Sequence, residues 1–206
     1  MVKDHYVRCI ERGRIYNVLD KGFVRLNDSM GGDARVIEAA SSCYAKKSGR
    51  AELIKSLMVR QHTNPFEHVI FTFEVKAPIF VLRQWMRHRT WSFTEVSLRY
   101  TEPTDWYGDD GGPIDLFCQQ ALDLYHQLRL DGMAKQDARR VLPVSFYSSI
   151  YATVDLNNLM KFLILRDDEA AQQEIRLYAI ALKEILRVAC PITFKAFEEV
   201  RCASQN

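Results

Sequence analysis

Two segments in which apolar and polar residues alternate constrain the fold of this chain most strongly. One covers 69–76 and the other covers 144–154. A period of two puts every second side chain on the same face, as in a strand with one buried face and one solvent-facing face. The sequence therefore predicts a β-sheet that is covered on one side. Residues 22–27 add a shorter strand before a stretch rich in turn residues.

Helical periodicity predicts most of the remaining elements. The predicted helices span about 33–44, 48–61, 78–87, 114–130, 135–142, 155–166 and 169–189. Asp33 and Asp155 are the predicted caps of two of them, and Pro191 ends the last one. Residues 1–20 are predicted as a weakly structured arm or a short strand. Because helices and strands are mixed without βαβ alternation, we expect an α+β fold with a mainly antiparallel sheet packed by helices.

Length and composition predict a single domain over 1–206. The chain is 48% hydrophobic and 26% charged, and no Pro-, Gly- or Ser-rich linker interrupts its 206 residues. A net charge of +2 is too small for nucleic-acid binding over the whole surface, so any preference for anions must be local. Five scattered cysteines favour reduced thiols in a cytoplasmic protein. No apolar run approaches the roughly 18 residues of a membrane span.

The segment 84–100 has the densest chemistry. Its cationic, aromatic and hydroxyl side chains include Arg87, His88, Arg89, Arg99, Trp85, Trp91, Phe93, Thr90, Ser92, Thr94 and Ser97. Guanidinium groups bind phosphate through forked donors, and aromatic rings suit a flat ring system. The residues alone therefore indicate a site for a flat anionic ligand. The alternative is a solvated helix end whose cations are favoured by the helix dipole.

Several common site motifs are absent from the sequence. Neither G-x-G-x-x-G nor G-x-x-x-x-G-K-[ST] occurs, which argues against a Rossmann or P-loop mode of nucleotide binding. His62 and His68 lack the spacing of a helical zinc motif, so we expect no metal. No G-x-S-x-G or cysteine motif marks a nucleophile for acyl transfer.

The arginine-rich segment resembles the signature of a known family. Arg87-His88-Arg89, followed after seven residues by Ser97, is similar to the R-H-R-x7-S motif of the flavin-dependent thymidylate synthases. The loop HTNPFEH at 62–68 and the approach VKAPIFVLRQWMRHR resemble further parts of the family pattern, as do DARRVLP and LMKFLILR. The likeness extends from Gly22 to Phe197.

The resemblance implies a reaction and an assembly. Members of this family methylate deoxyuridine monophosphate (dUMP) at uracil carbon 5, with methylenetetrahydrofolate as carbon donor and FAD as hydride carrier. NADPH is the usual reductant of the flavin. The family forms homotetramers whose sites are shared between subunits, and no metal, nucleic acid or membrane is involved.

The resemblance also implies roles for individual residues. Those that correspond to nucleotide contacts are Gln84, Trp85, Met86, Arg87, Glu95, Val96, Ser97, Leu98, Arg99 and Arg139. Those that correspond to flavin contacts are Asn64, Arg87, His88, Arg89, Glu95, Asp155, Leu156, Asn157 and Lys161. Arg166 corresponds to the arginine that activates the pyrimidine by favouring loss of the proton from ring nitrogen 3. On this interpretation no cysteine attacks the substrate.

Five positions differ from residues common in the family: Phe93, Thr94, Leu98, Asp155 and Lys161. They touch the flavin and nucleotide sites, so two alternatives remain. The nearer one is the same methylation of the ribonucleotide UMP during synthesis of a modified nucleoside. The more distant one is a non-catalytic nucleic-acid binder, against which the small net charge argues.

Overall fold

The computed structural model describes residues 13–42 and 52–204. Within them, five strands form one sheet in the order β1-β2-β3-β5-β4, and every neighbouring pair is antiparallel. The strands are β1 Ile15–Val18, β2 Gly22–Met30, β3 Ile70–Pro78, β4 Ser92–Glu95 and β5 Tyr147–Asp155. The predicted α+β fold with a mainly antiparallel sheet is confirmed.

The strand register explains why the alternating segments form this sheet. Leu26, Phe73, Ala152 and Phe93 lie opposite one another across four strands, and the first three are buried. The next row, on the other face, includes the ion pair of Arg25 with Glu74. Burial of every second side chain thus fixes the pairing, because a slip of one residue would expose the apolar row.

Eight α-helices accompany the sheet in the described residues. They are α1 Asp33–Ser41, α2 Glu52–Val59, α3 Ile79–Trp85, α4 Pro113–Leu130, α5 Lys135–Ala138, α6 Leu156–Arg166, α7 Gln173–Ala189 and α8 Pro191–Ser204. Short 3-10 helices span Asn64–His68 and Arg139–Val141. Helices α6 and α7 bury most of their apolar side chains in the same core as the covered face of the sheet. None of these helices is long and apolar enough to cross a membrane.

Helix α8 was not predicted, because Pro191 was interpreted only as the end of α7. Proline is tolerated in the first turn of a helix, where its missing N–H needs no partner. The free N–H groups of Ile192 and Thr193 donate to the carboxylate of Asp33 at 2.8 and 2.9 Å. Asp33 therefore caps α8 from a distant part of the sequence. The prediction that Asp33 caps α1 is wrong, because Gly32 is the N-cap of that helix.

Other predicted boundaries changed or lie outside the described residues. Strand β4 was predicted as part of a loop, since a four-residue edge strand carries too short an alternation to be recognised. The predicted end of α1 near Tyr44 and start of α2 near Ser48 lie outside the described residues, as does 1–12 of the predicted arm. Part of that arm, Ile15–Val18, is strand β1.

Candidate active site

The Arg-His-Arg segment is a short loop tethered at both ends by buried tryptophans. Trp85 ends α3 and Trp91 precedes β4, and both are buried. Their rings meet edge to face at 5.7 Å and pack on Phe162 of α6 at 4.8 and 5.3 Å. The expectation that these rings serve a flat ligand is corrected, because both indoles belong to the core. Their packing anchors both ends of the loop that carries Arg87, His88 and Arg89.

His88 and Arg166 form the centre of the site. Arg166 is the last residue of α6, and its Nε donates to Nε2 of His88 at 3.0 Å. The His88 ring also packs on Phe162, with centroids 4.8 Å apart. Burial, followed by the charge of Arg166, lowers the pKa of His88 to about 4. The imidazole is therefore neutral at pH 7 and can accept the bond from the guanidinium.

Arg166 makes a second bond that fixes its orientation. Its Nη2 donates to the backbone oxygen of Gln84 at 3.1 Å, so α6 and α3 meet at this guanidinium. Burial lowers the pKa of Arg166 from its usual value, but an arginine starts so high that it stays protonated. A guanidinium has about five N–H donors, and these two bonds leave the others for a ligand.

A pocket of about 430 Å³ opens beside α3. It is lined by Ile79, Arg83, Glu95, Val96, Ser97, Leu98, Arg139, Arg140, Leu142, Pro143, Val144 and Ser148. Five residues assigned to nucleotide contacts, namely Glu95 to Leu98 and Arg139, are among them. Arg83 of this lining precedes Gln84, whose backbone binds Arg166, so α3 joins the pocket to the guanidinium.

Three polar residues of the pocket were missing from the predicted site: Arg83, Arg140 and Ser148. Arg83 shares a helix with Gln84, and Arg140 follows Arg139, so both had a signal in the sequence. Ser148 had none, because its strand shows only alternation. Within the described part of the chain, the side chains of Arg83 and Arg139 have no ion pair or hydrogen bond. The pocket lining thus has more guanidinium groups than carboxylates, since Glu95 is its one acidic residue, and this excess favours an anionic ligand.

The other predicted nucleotide residues are not among those that line the pocket. Trp85 is fully buried and Met86 packs partly against the core, so their side chains stabilise α3. The side chain of Gln84 donates to Oε1 of Gln172 at 2.6 Å, at the start of α7. Arg99 is exposed, with its guanidinium 5.6 Å from the ring centroid of Tyr100.

Three of the residues assigned to the flavin, Asp155, Leu156 and Asn157, lie at the start of α6. Asp155 caps this helix, because its two carboxylate oxygens accept from the backbone N–H and the side-chain amide of Asn158 at 2.9 and 2.6 Å. The buried amide of Asn157 donates to Glu67 at 3.0 Å, which ties α6 to the 3-10 helix that begins at Asn64. Leu156 is fully buried and acts through the core.

The charges in this region suit a cofactor with a diphosphate. Arg87, Arg89 and Lys161 are exposed, and none has an ion pair among the described residues. The contact of His88 with Phe162 brings the loop of both arginines against the part of α6 that carries Lys161. These cations fit the acidic diphosphate of FAD. In residues 13–42 and 52–204, no group of three His, Cys, Asp or Glu side chains is arranged to hold a metal ion.

Solved structures with the same fold bind uracil nucleotides. This chain is similar to the UMP/dUMP methylase PolB from Streptomyces cacaoi bound with 5-Br dUMP, with a TM-score of 0.79 and 33% identity. That similarity covers 89% of this chain and 97% of the PolB chain. The same protein bound with 5-Br UMP has a TM-score of 0.74 and 35% identity, over 86% of this chain and 94% of the other.

Sequence relatives connect the chain with one family. The family model for "Thymidylate synthase complementing protein" matches residues 25–192. A flavin-dependent thymidylate synthase from Thermosipho africanus is 44% identical over 88% of this chain and 93% of its own length. Another from Thermus thermophilus is 43% identical over 88% of this chain and 77% of its own length. The chain belongs to the flavin-dependent thymidylate synthase family.

Proposed function

We propose that this protein methylates a uracil nucleotide at carbon 5, with dUMP as the first substrate and dTMP as the product. Methylenetetrahydrofolate is the proposed carbon donor and FAD the proposed hydride carrier. The observation that carries this proposal is Arg166, which donates to His88 and to the backbone of Gln84, the residue after Arg83 of the arginine-lined pocket. That arrangement joins an anion site to a group that can stabilise negative charge on a ring.

The pocket supports binding of the nucleotide phosphate. Three arginines, Arg83, Arg139 and Arg140, outweigh the one carboxylate of the lining, that of Glu95. Ser97 and Ser148 supply hydroxyl donors. Its volume of about 430 Å³ falls within the range of roughly 300–1,000 Å³ that is common for small-molecule sites. Ser97 has a binding role here, because no neighbouring base is proposed to activate it as a nucleophile.

Arg166 is the proposed activator of the pyrimidine. Loss of the proton from ring nitrogen 3 to solvent leaves negative charge spread over the ring, including carbon 5. A guanidinium stabilises that anion without giving up its own proton. Carbon 5 then attacks the methylene carbon of the folate and loses its own proton to solvent. The bonds between that carbon and the folate nitrogens break as tetrahydrofolate leaves, so the reaction needs no protein nucleophile. His88 and Gln84 keep the guanidinium oriented for this task.

The flavin site completes the proposed reaction. When bound, reduced FAD supplies the hydride that converts the transferred one-carbon unit to a methyl group, and NADPH is the proposed reductant. Arg87, Arg89 and Lys161 would hold the diphosphate, and His88 lies between that region and Arg166. Asn64, Asn157 and Asp155 would support the cofactor through the start of α6.

The ribonucleotide UMP is a second candidate substrate. The structural neighbour PolB is described as a UMP/dUMP methylase, and its structures hold 5-Br UMP and 5-Br dUMP. The two substrates differ by one hydroxyl, which a pocket can admit or refuse through its shape. The chemistry assigned to Arg166 is the same for both.

A homotetramer with shared sites is the proposed assembly, with each chain forming one catalytic domain over 1–206 in the cytoplasm. Exposed apolar side chains support association. On α4, Leu116 is 62% exposed and Phe117 59%, and Leu165 on α6 is 60% exposed. Burial of such side chains against further copies would remove them from water.

Product analysis tests the proposed function. Purified protein is loaded with FAD, whose visible absorption reports binding, and is incubated with NADPH, methylenetetrahydrofolate and either dUMP or UMP. Mass spectrometry then measures the gain of one methyl group by each nucleotide. We expect methylated dUMP, and the ratio of kcat/KM for the two nucleotides assigns the substrate. Protein that cannot be loaded with FAD, or loaded protein that methylates neither nucleotide, would contradict the proposal.

A further inference from the structure

Directly after Arg166, Asp167 is bound by two cations from other helices. Its Oδ2 accepts from Nζ of Lys183 on α7 at 3.0 Å and from Nη1 of Arg201 on α8 at 2.7 Å. The second arm of Arg201 donates to the backbone oxygen of Asp167 at 2.6 Å. We call Asp167, Lys183 and Arg201 the Asp167 clamp.

The clamp is largely removed from solvent. The side chains of Asp167, Lys183 and Arg201 are 10%, 22% and 16% exposed. Burial alone would raise the pKa of Asp167, but the hydrogen bonds and charges of Lys183 and Arg201 outweigh it and lower this pKa. Glu198 also pairs with Lys183 at 3.1 Å, so two acidic and two basic groups balance. Screening by salt is weak for charges buried to this degree.

The clamp lies at the C-terminal end of α6, next to Arg166. The last backbone carbonyls of a helix lack partners within the helix, and helix ends fray. Arg166 occupies such an end, and Asp167 is the C-cap of α6. The clamp fastens that end to α7 and α8 through both the side chain and the backbone of Asp167. The guanidinium of Arg166 itself reaches α3.

We propose that Asp167 is a positioning residue for Arg166: the clamp fixes the end of α6 so that the guanidinium meets His88, Gln84 and the pyrimidine. This inference rests on the proposed function, because it concerns the same guanidinium. The competing explanation is a tertiary ion pair that stabilises α6, α7 and α8 without influencing Arg166. The two explanations predict different behaviour of His88 and different coupling between mutations.

The His88 imidazole reports the position of Arg166 without any substrate. Because the charge of Arg166 contributes to the low pKa of His88, a guanidinium that moves away lets this pKa rise above about 4. Loss of the Asp167 charge by itself would have the opposite sign, since removing a nearby anion lowers the pKa of an imidazole. NMR titration of His88 in Asp167→Asn should therefore show a rise. An unchanged or lower pKa would overturn the inference.

A double-mutant cycle on nucleotide affinity gives the second test. In the FAD-loaded protein, Asp167→Asn should raise the Kd for dUMP by about tenfold and lower kcat by about tenfold to a hundredfold, as expected for a misplaced catalytic group. In the Arg166→Ala background the same substitution should leave the Kd unchanged. An Asp167→Asn substitution that raises the Kd by the same factor in the wild-type and Arg166→Ala proteins would overturn the inference. The control Arg187→Gln, which removes an exposed ion pair of α7, should leave both constants at the wild-type values.

A conservative variant keeps the test valid if Asp167→Asn fails to fold. Arg201→Lys retains the charge but loses the fork that reaches the carboxylate and the carbonyl together. It should raise the pKa of His88 in the same direction, and a wild-type value in folded Arg201→Lys would overturn the inference. Wild-type protein that neither binds nor methylates a uracil nucleotide would instead contradict the proposed function, whatever His88 does.

Discussion

Neutral His88 gives Arg166 a hydrogen-bond acceptor that carries no charge. A carboxylate in its place would form an ion pair and neutralise the guanidinium. The bond of 3.0 Å to Nε2 orients Arg166 and leaves its positive charge available to an anionic ring. At the scale of single residues, the low pKa of His88 is therefore part of the proposed chemistry.

That low pKa predicts how stability depends on pH. The folded pKa of about 4 lies below the ordinary value of 6.5, so the unfolded chain binds more protons between these two values. The contribution of His88 to the free energy of unfolding should fall as the pH drops from 6.5 towards 4. Urea denaturation at pH 7 and pH 5 should show that the free energy of unfolding falls less between these pH values in His88→Gln than in wild type. The exposed His126→Gln variant is the control, and an equal fall in all three proteins would contradict the prediction.

The sequence shows which residues belong to the candidate site better than it shows where their side chains lie. Arg166 and the Arg87 to Ser97 signature were named from the sequence, and the structure places Arg166 against His88. The roles of Trp85 and Trp91 could not be predicted, because composition does not show which side of a loop faces the core. Only the packing of both indoles on Phe162 decides that.

Helix α6 connects the two chemical regions at the scale of secondary structure. It begins at the Asp155 cap, in the region assigned to the flavin, and ends at Arg166. Eleven residues span about 16 Å at 1.5 Å per residue. The length of this helix thus sets the separation between the assigned flavin residues at its start and the guanidinium at its end.

Removing the cap of α6 should destabilise the protein modestly. Asp155→Ala leaves the N–H of Asn158 without its partner and should cost about 1 kcal/mol in the free energy of unfolding. Asp155→Asn keeps an acceptor oxygen and should remain near the wild-type value. Urea denaturation of the flavin-free proteins measures both. Equal losses in the two variants would show that the charge, and not the cap, is what matters.

The pocket arginines should control nucleotide affinity. Arg83→Ala and Arg139→Ala each remove a guanidinium that lacks an ion pair in the described residues. Each should raise the Kd for dUMP by about tenfold to a hundredfold, as expected for loss of hydrogen bonds to a charged group. Isothermal titration calorimetry measures this, with exposed Arg60→Ala outside the pocket as the control. Wild-type affinity in both pocket variants would exclude the pocket as the phosphate site.

Periodic elements were predicted well and short ones were not. Strands β3 and β5 and helices α4 and α6 carry repeats long enough to be recognised in the sequence. Strand β4 has four residues, and its identity depends on pairing with β5. Helix α8 depends on Asp33, which is distant in the sequence. Ser148 enters the pocket through tertiary structure alone.

At the scale of the whole molecule, one face of the sheet is packed in the core. Some helices nevertheless carry exposed apolar side chains. Helix α4 buries Cys118, Ala121 and Tyr125 but exposes Leu116 and Phe117. An amphipathic helix of a monomer normally turns its apolar side inwards. The outward side chains of α4 are therefore the part of the surface that best explains the proposed tetramer.

Light scattering tests the assembly. Wild-type protein should elute with the mass of four chains, and the double substitution Leu116→Lys with Phe117→Lys should shift it to a smaller species, since charges are costly in an apolar interface. Val59→Lys, at another exposed apolar position, should keep the tetramer. A monomeric wild type, or a double variant that stays tetrameric, would contradict the role proposed for α4.

Release of tritium from position 5 of labelled dUMP tests the central claim most directly, because it reports the loss of the carbon 5 proton during methylation. With FAD, NADPH and methylenetetrahydrofolate, wild-type protein should release tritium, and omission of the folate should stop the release. Arg166→Ala should bind FAD as wild type does and release no tritium above background. No release by FAD-loaded wild type, or wild-type release by Arg166→Ala, would contradict the account.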